Sequence, residues 1–217
     1  MDKEKIKKYQ IFSAIFTAIF GALFHFTYEW SGKNQIVGLF SAVNESTWEH
    51  LKLLYFPMLL TIIIGLLYFK NSDKEIAPNF LCAKTIGITT AMAFTVVFFY
   101  TYSGIIGKDI PFISILSFFI AIILGEYLAY LLMTNKVQFN KNVCIIILVV
   151  LLLCFIIFTF NPPKIGFFKD PITNSYGIGQ LVPGVNWPEL YITKKWYKNS
   201  CIFIIVIVKL IQIYYRY

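Results

Sequence analysis

Both histidines of this chain, His25 and His50, lie in one stretch with three of its eleven acidic residues, Glu29, Glu45 and Glu49. His25 and Glu29 are four residues apart and share a face of any helix that carries them. Asn44, Glu45, Ser46, Trp48, Glu49, His50 and Lys52 follow close behind. Imidazole and carboxylate groups at helical spacing hold a divalent ion when a neighbouring segment completes the ligand set. His25, Glu29 and His50, with Glu45 or Glu49, would suffice for zinc, manganese or iron. A bound ion would then lower the pKa of a water for hydrolysis. The same groups allow a metal-free alternative, in which Glu49 and His50, supported by Glu45 and Lys52, divide general acid and base roles. Asp109 and Asp170 fall on the same side of the expected topology and could join them.

Several of these residues also have a plainer reading. Ser46-Thr47-Trp48-Glu49 has the spacing of a capping box, with Ser at the N-cap and Glu at N3. Glu49 can pair with Lys52 at i+3, and Asp109 and Asp170 precede prolines as turn residues do. The cap leaves His25, Glu29 and His50 unexplained. Glu126 stands apart from this group in the middle of an apolar run, about 20 Å below the outer end of its helix by rise per residue. An ionisable residue inside a span points to function by default. Its plain alternative is a hydrogen bond to a Tyr or Thr across a close helix contact made by Gly125 and Ala129.

The elements that position these residues are legible from composition. Of 217 residues, 58% are hydrophobic and only 14% charged, against about 25% charged in soluble domains. That excludes a soluble globular enzyme, a disordered chain and a nucleic-acid-binding domain. Apolar runs at about Ile11–Tyr28, Leu51–Phe69, Leu81–Gly104, Pro111–Thr134 and Val143–Phe160 each approach the ~20 residues that cross a ~30 Å hydrocarbon core. None alternates as a barrel strand does, so helices must satisfy the backbone. The first run is too long and too polar at its end for a signal peptide.

Lysine placement sets the orientation. With the N-terminus inside, nine lysines (3, 5, 7, 8, 70, 74, 84, 136 and 141) fall on the cytoplasmic side and three (33, 52 and 108) outside, as the positive-inside rule prefers. Trp30, Trp48, Trp187 and Trp196 then form one outer interfacial belt. Beyond Phe160, Asn161-Pro162-Pro163 ends the fifth span, and the Pro-, Gly- and aromatic-rich Lys164–Ser200 suits a loop on the outer interface. Cys201–Tyr215 reads either as a short sixth span with a snorkelling Lys209 or as an interfacial helix. Cys82, Cys144, Cys154 and Cys201 lack paired spacing and read as small hydrophobes. No nucleophile elbow, phosphate-binding loop, His-Glu-x-x-His helix or Cys-x-x-Cys pair is present.

Three stretches carry a family resemblance: Asn44-Glu45-Ser46-Thr47-Trp48-Glu49-His50-Leu51-Lys52, Gly125-Glu126-Tyr127, and Asn161-Pro162-Pro163 with Asp170-Pro171-Ile172-Thr173 and Tyr176-Gly177-Ile178. Together they resemble a family of small integral membrane proteins of unknown function from clostridia and their relatives. The resemblance covers about Lys8 to Ile178 and implies a five-span body without an assigned activity. Gly179–Tyr217 departs from the family pattern, which implies that its last apolar piece is a peripheral addition. A looser analogy is with seven-span ceramidase and progestin-receptor-like hydrolases, which hold zinc with three histidines.

The expected architecture is an all-α bundle of five membrane spans plus a possible short sixth, with the N-terminus inside. Residues 1–178 form its body and 179–217 an outer loop and apolar helix. The expected site is a multi-pass one in a bacterial plasma membrane, with lipids as partners and no nucleic acid. The expected activity is that of a hydrolase or transferase, with a divalent metal such as zinc as its cofactor, acting on a lipid or lipid-linked substrate. The alternative is a transporter or accessory subunit in which Glu126 couples an ion or proton.

Overall fold

A computed structural model of the chain describes residues 3–70, 77–135, 137 and 139–178. The sixth-span expectation, the loop beyond Ile178 with Trp187 and Trp196, and Cys201 lie outside the described residues. The helices are α1 (Lys3–Trp30), the single turn α2 (Gln35–Gly38), α3 (Thr47–Lys70), α4 (Ala77–Ile106), α5 (Pro111–Thr134) and α6 (Lys141–Phe160). All but α2 are long and apolar enough to cross a membrane, with mean hydropathy from 1.6 to 3.5. α5 keeps the bounds of its apolar run, and the other four exceed theirs at one or both ends, because polar caps continue the hydrogen-bond ladder after hydrophobicity has faded.

Cross-helix contacts define an antiparallel bundle. Along α1 and α3, Tyr9 meets Phe69, Ser13 meets Thr61, and His25 meets His50. α3 carries Pro57 in its interior, which leaves the carbonyl of Leu53 without its helical donor. α1 meets that carbonyl at Gly21, where an added Cβ would lie 2.5 Å from the Leu53 oxygen. α4 and α5 approach about as closely: a Cβ on Gly125 would lie 2.6 Å from the Gly87 oxygen, and the reverse holds equally. The small pair Gly125 and Ala129 thus serves as the sequence suggests, and its partner is Gly87 of α4. Side chains of α3 reach α6, where the Tyr55 hydroxyl donates to the Leu148 carbonyl at 2.6 Å.

Two expectations are corrected here. Cys82 and Cys144 form a disulfide between α4 and α6 with Cα atoms 5.3 Å apart, while Cys154 is free. Their separation of 62 residues hides a pairing that only the helix packing creates. Trp48 leaves the interfacial belt: it is buried against Phe155, Phe158, Phe167 and Phe168, at centroid distances of 4.7–5.7 Å. Trp30 is exposed as a belt residue should be. The aromatic turn Gly166–Phe168 after α6 gives Trp48 a dry partner, which outweighs the interface.

Candidate functional site

The connector from α1 to α3 folds back over the end of α1. α1 stops where Gly32 and Lys33 take positive φ, with Lys33 N–H donating to the Tyr28 carbonyl at 3.0 Å, a left-handed helix terminus. Asn34 then caps α2 through its side-chain oxygen. Ser41 ties the return to α1: its Oγ accepts from Tyr28 N–H at 3.1 Å and from Thr27 Oγ1 at 3.0 Å, and it donates to the Phe24 carbonyl. Next, Asn44 Oδ1 accepts from Ser46 N–H at 2.9 Å, and Asn44 Nδ2 donates to the Gly177 carbonyl at 2.9 Å. Two of the stretches that carry the family resemblance are therefore in contact. Gly177 holds φ +58°, and a Cβ there would lie 2.6 Å from the Thr159 oxygen, so the position demands glycine.

This folding brings Glu45 between the two histidines. Glu45 Oε2 lies 3.3 Å from His50 Nε2 and 3.7 Å from His25 Nε2. One ligand atom from each of the three residues falls within 4.8 Å of the others. All three side chains are about a third exposed, at 31%, 39% and 33% for His25, Glu45 and His50. Hydrogen bonding from His25 first, and then from His50, holds the Glu45 carboxyl well below the usual carboxylate range. It is ionised at neutral pH, the form in which a carboxylate ligates.

His50 is oriented as well as placed. Its Nδ1 lies 2.9 Å from the Ser46 carbonyl oxygen, an acceptor, so Nδ1 carries a proton, and Nε2, which faces Glu45, is the nitrogen that a metal would take once its own proton is released. Ligating histidines commonly use their second nitrogen in this way. Four-coordinate zinc, with ligands at about 2.0–2.1 Å, places neighbouring ligand atoms ~3.3 Å apart. The Glu45–His50 separation meets that value. His25 Nε2 stands a few tenths of an ångström farther from Glu45, at 3.7 Å, and the three ligand atoms lie within 4.8 Å of one another, so the imidazoles would draw together on a bound ion. Three protein ligands with one open position match the catalytic form of a zinc site.

The other sequence candidates are placed elsewhere. Glu29 does not join the cluster. It lies one turn past His25, exposed, and pairs with Lys33 at 3.7 Å; Glu45 occupies the place expected for it. Glu49 and Lys52 form a buried ion pair at 2.6 Å. Lys52 Nζ also donates to the Gly38 carbonyl at 2.9 Å and to Thr159 Oγ1 at 2.5 Å. Glu49 Oε2 accepts from Val43 N–H at 3.1 Å. The capping box is half formed: Ser46 Oγ accepts from Glu49 N–H at 3.3 Å, but Asn44 takes the return bond. Asp109 engages Tyr102 and Ser114, and Asp170 holds its own turn through Ile172 N–H and Thr173.

Glu126 meets a partner that lysine counting assigns to the cytoplasmic side. Lys84 Nζ donates to both its carboxylate oxygens at 2.6 Å and to Ser13 Oγ at 2.7 Å. Ser13 Oγ lies 2.7 Å from Glu126 Oε1 and 2.9 Å from Thr61 Oγ1. Lys84, Ser13 and Thr61 are fully buried. The sequence carried a signal for this group: Gln10, Ser13 and Thr17, at helical spacing, put a polar stripe on the inward face of α1. Lys84 gave no comparable signal, because a lysine near the start of a span ordinarily snorkels outward.

A family of unknown function, DUF6512, matches residues 1–178. The chain belongs to that family. The match ends where the described body ends, one residue past Gly177. No curated protein and no solved structure matches the chain.

Proposed function

We propose that this DUF6512 chain is a metal-dependent hydrolase or transferase of a bacterial plasma membrane, acting on a lipid or lipid-linked substrate at the outer leaflet. One observation carries the reading. His25 at the end of α1, Glu45 in the connector and His50 at the start of α3 converge on one point, and the Ser46 carbonyl already takes the second nitrogen of His50. A zinc ion held there would keep one position for water, whose proton it would make labile near neutral pH. Phe26 packs beside His25, their centroids 5.0 Å apart, and stacks on Trp30 at 5.7 Å. Both aromatics are exposed, which gives an acyl-bearing substrate an apolar approach.

Glu49 and Lys52 serve this site by holding the connector that delivers Glu45, with Lys52 bound to carbonyls on both sides of the return. The alternative role of Glu126 in ion coupling has less support, since Lys84 engages both of its oxygens. The test is the metal content of the purified full chain beside His50→Ala and Glu45→Gln. About one zinc per wild-type chain, lost in both variants, is expected. Equal content in all three, or none in any, rejects the metal centre.

A further inference from the structure

At the basic end of the bundle, α1 and α3 leave a groove of about 330 Å³ lined by Lys8, Tyr9, Phe12, Ile64 and Tyr68. Its construction follows from two helical repeats. Lys5, Lys8, Tyr9 and Phe12 fall at i, i+3, i+4 and i+7 on one face of α1, while Ile64 and Tyr68 are one turn apart on α3. Because the helices run antiparallel, Lys5, Lys8 and Tyr68 form a layer at the bundle end. Phe12 and Ile64 lie one turn, ~5 Å, deeper.

The floor is firm. Tyr9 is buried, stacks on Tyr68 at 5.8 Å and meets Phe69 and Phe80 edge-on at 5.2 and 5.6 Å. Its hydroxyl donates to the Thr61 carbonyl. Lys5 Nζ sits 5.3 Å from the Tyr68 ring centroid, a cation–π contact. The pairing of Lys8 with Glu4 at 2.8 Å is exposed, and such pairs exchange readily for a stronger anion.

We propose that this groove binds an anionic phospholipid of the inner leaflet, its headgroup phosphate between Lys5 and Lys8 and one acyl chain along Phe12 and Ile64. The layering supports a lipid over a soluble phosphate: cationic groups stand at headgroup level, and exposed apolar walls continue below them. The end of the chain that carries Lys3, Lys5, Lys7 and Lys8 is the one the positive-inside rule assigns to the anionic cytoplasmic leaflet. The site is independent of the histidine centre at the opposite end.

The full chain, reconstituted in phosphatidylcholine bilayers, is tested with spin-labelled phosphatidylglycerol against spin-labelled phosphatidylcholine. Wild type should favour phosphatidylglycerol. Lys5→Gln/Lys8→Gln should reduce that preference by roughly fivefold for each lysine. Lys3→Gln/Lys7→Gln, on the opposite face of α1, should leave most of it. Ile64→Trp, which fills the groove, should abolish it. The proposal is overturned if the two lysine pairs have equal effects, since diffuse charge then explains the preference. It is overturned equally if folded Ile64→Trp retains full preference, or if inorganic phosphate at matched ionic strength displaces the lipid. The altered lysines are surface side chains, so the comparison of pairs stands even where Ile64→Trp does not fold.

Discussion

Two clusters of acid and base sit at different depths in this bundle. At the histidine end, His25, Glu45 and His50 hold ligand atoms within 4.8 Å of one another while each side chain stays about a third exposed. Deeper in the bundle, Lys84 and Glu126 are within 2.6 Å of each other, and Ser13 fills in beside them. Both groups are costly to place in a membrane protein. They differ in what is left over. The deep pair is engaged on α1, α4 and α5, with both Glu126 oxygens on Lys84, and it fastens those helices together. The cluster at the end keeps two imidazole nitrogens and a carboxylate directed at one accessible point, which is what a ligand needs.

The largest test of that contrast removes one partner of the deep pair. Lys84→Met leaves the Glu126 carboxylate buried without its cation and should cost about 3–5 kcal/mol, read as a fall in the thermal midpoint of the purified chain. Lys84→Met/Glu126→Gln removes both charges and should recover most of the loss, because a neutral amide with Ser13 at hand has a far smaller desolvation cost. A single substitution costing under about 1 kcal/mol would show that the pair is hydrated and not sealed. His50→Ala should behave in the opposite manner. Metal affinity should fall by more than the 10–100-fold typical of groups outside the ligand shell, while the thermal midpoint of the metal-free protein moves little. Substantial unfolding of metal-free His50→Ala would mean that the histidine is a packing residue.

The sequence reveals these regions unequally. Span number and approximate bounds follow from hydrophobicity, which the bilayer requires along most of a span's length. The α4–α5 contact at Gly87 and Gly125 was half visible, since small residues announce a close approach without naming the partner. His25 and His50 could be expected to meet once α1 and α3 were antiparallel neighbours. Glu45 could not be chosen over Glu29, because its place depends on Ser41 and Asn44 folding the connector back. Lys84 and Lys52 misled in one direction only. Each lies near a span end and counts as an interfacial charge, yet each is buried on a carboxylate. Without them the lysine count stands at eight against two, so the orientation argument keeps its sign.

A narrower test concerns the helix contact shared by both regions. α1 runs from the deep pair to the histidine cluster and passes α3 at Gly21, against the Leu53 carbonyl that Pro57 leaves without a donor. Gly21→Ala places a methyl group 2.5 Å from that oxygen and 2.7 Å from Phe118 Cζ. The Phe ring can move, but backbone oxygen cannot move without shifting α3. A loss of about 1–3 kcal/mol is expected, as for overpacked cores, with a parallel loss of metal affinity as His25 is carried away from His50. Lost stability with unchanged metal affinity would show that the connector alone sets the cluster's geometry.

The smallest expected effect separates that connector from the helices. Asn44→Ala removes the amide that joins the connector to Gly177 and the oxygen that accepts from Ser46 N–H, but it touches neither histidine. Each neutral hydrogen bond contributes about 1 kcal/mol, so the fold should survive with a loss of about 1–2 kcal/mol. Glu45 and the Ser46 carbonyl, however, lie on the two residues that follow Asn44. Without the anchor, Glu45 samples more positions and the acceptor for His50 Nδ1 is less fixed. Metal affinity should therefore drop about tenfold, within the range for a group that orients a ligand. The same measurement on Asp170→Asn, which loosens the neighbouring turn through Thr173 and Ile172, should show the stability cost without the affinity cost. Equal affinity losses in the two variants would assign the effect to general loosening of the loop, and Asn44 would then have no specific part in presenting Glu45.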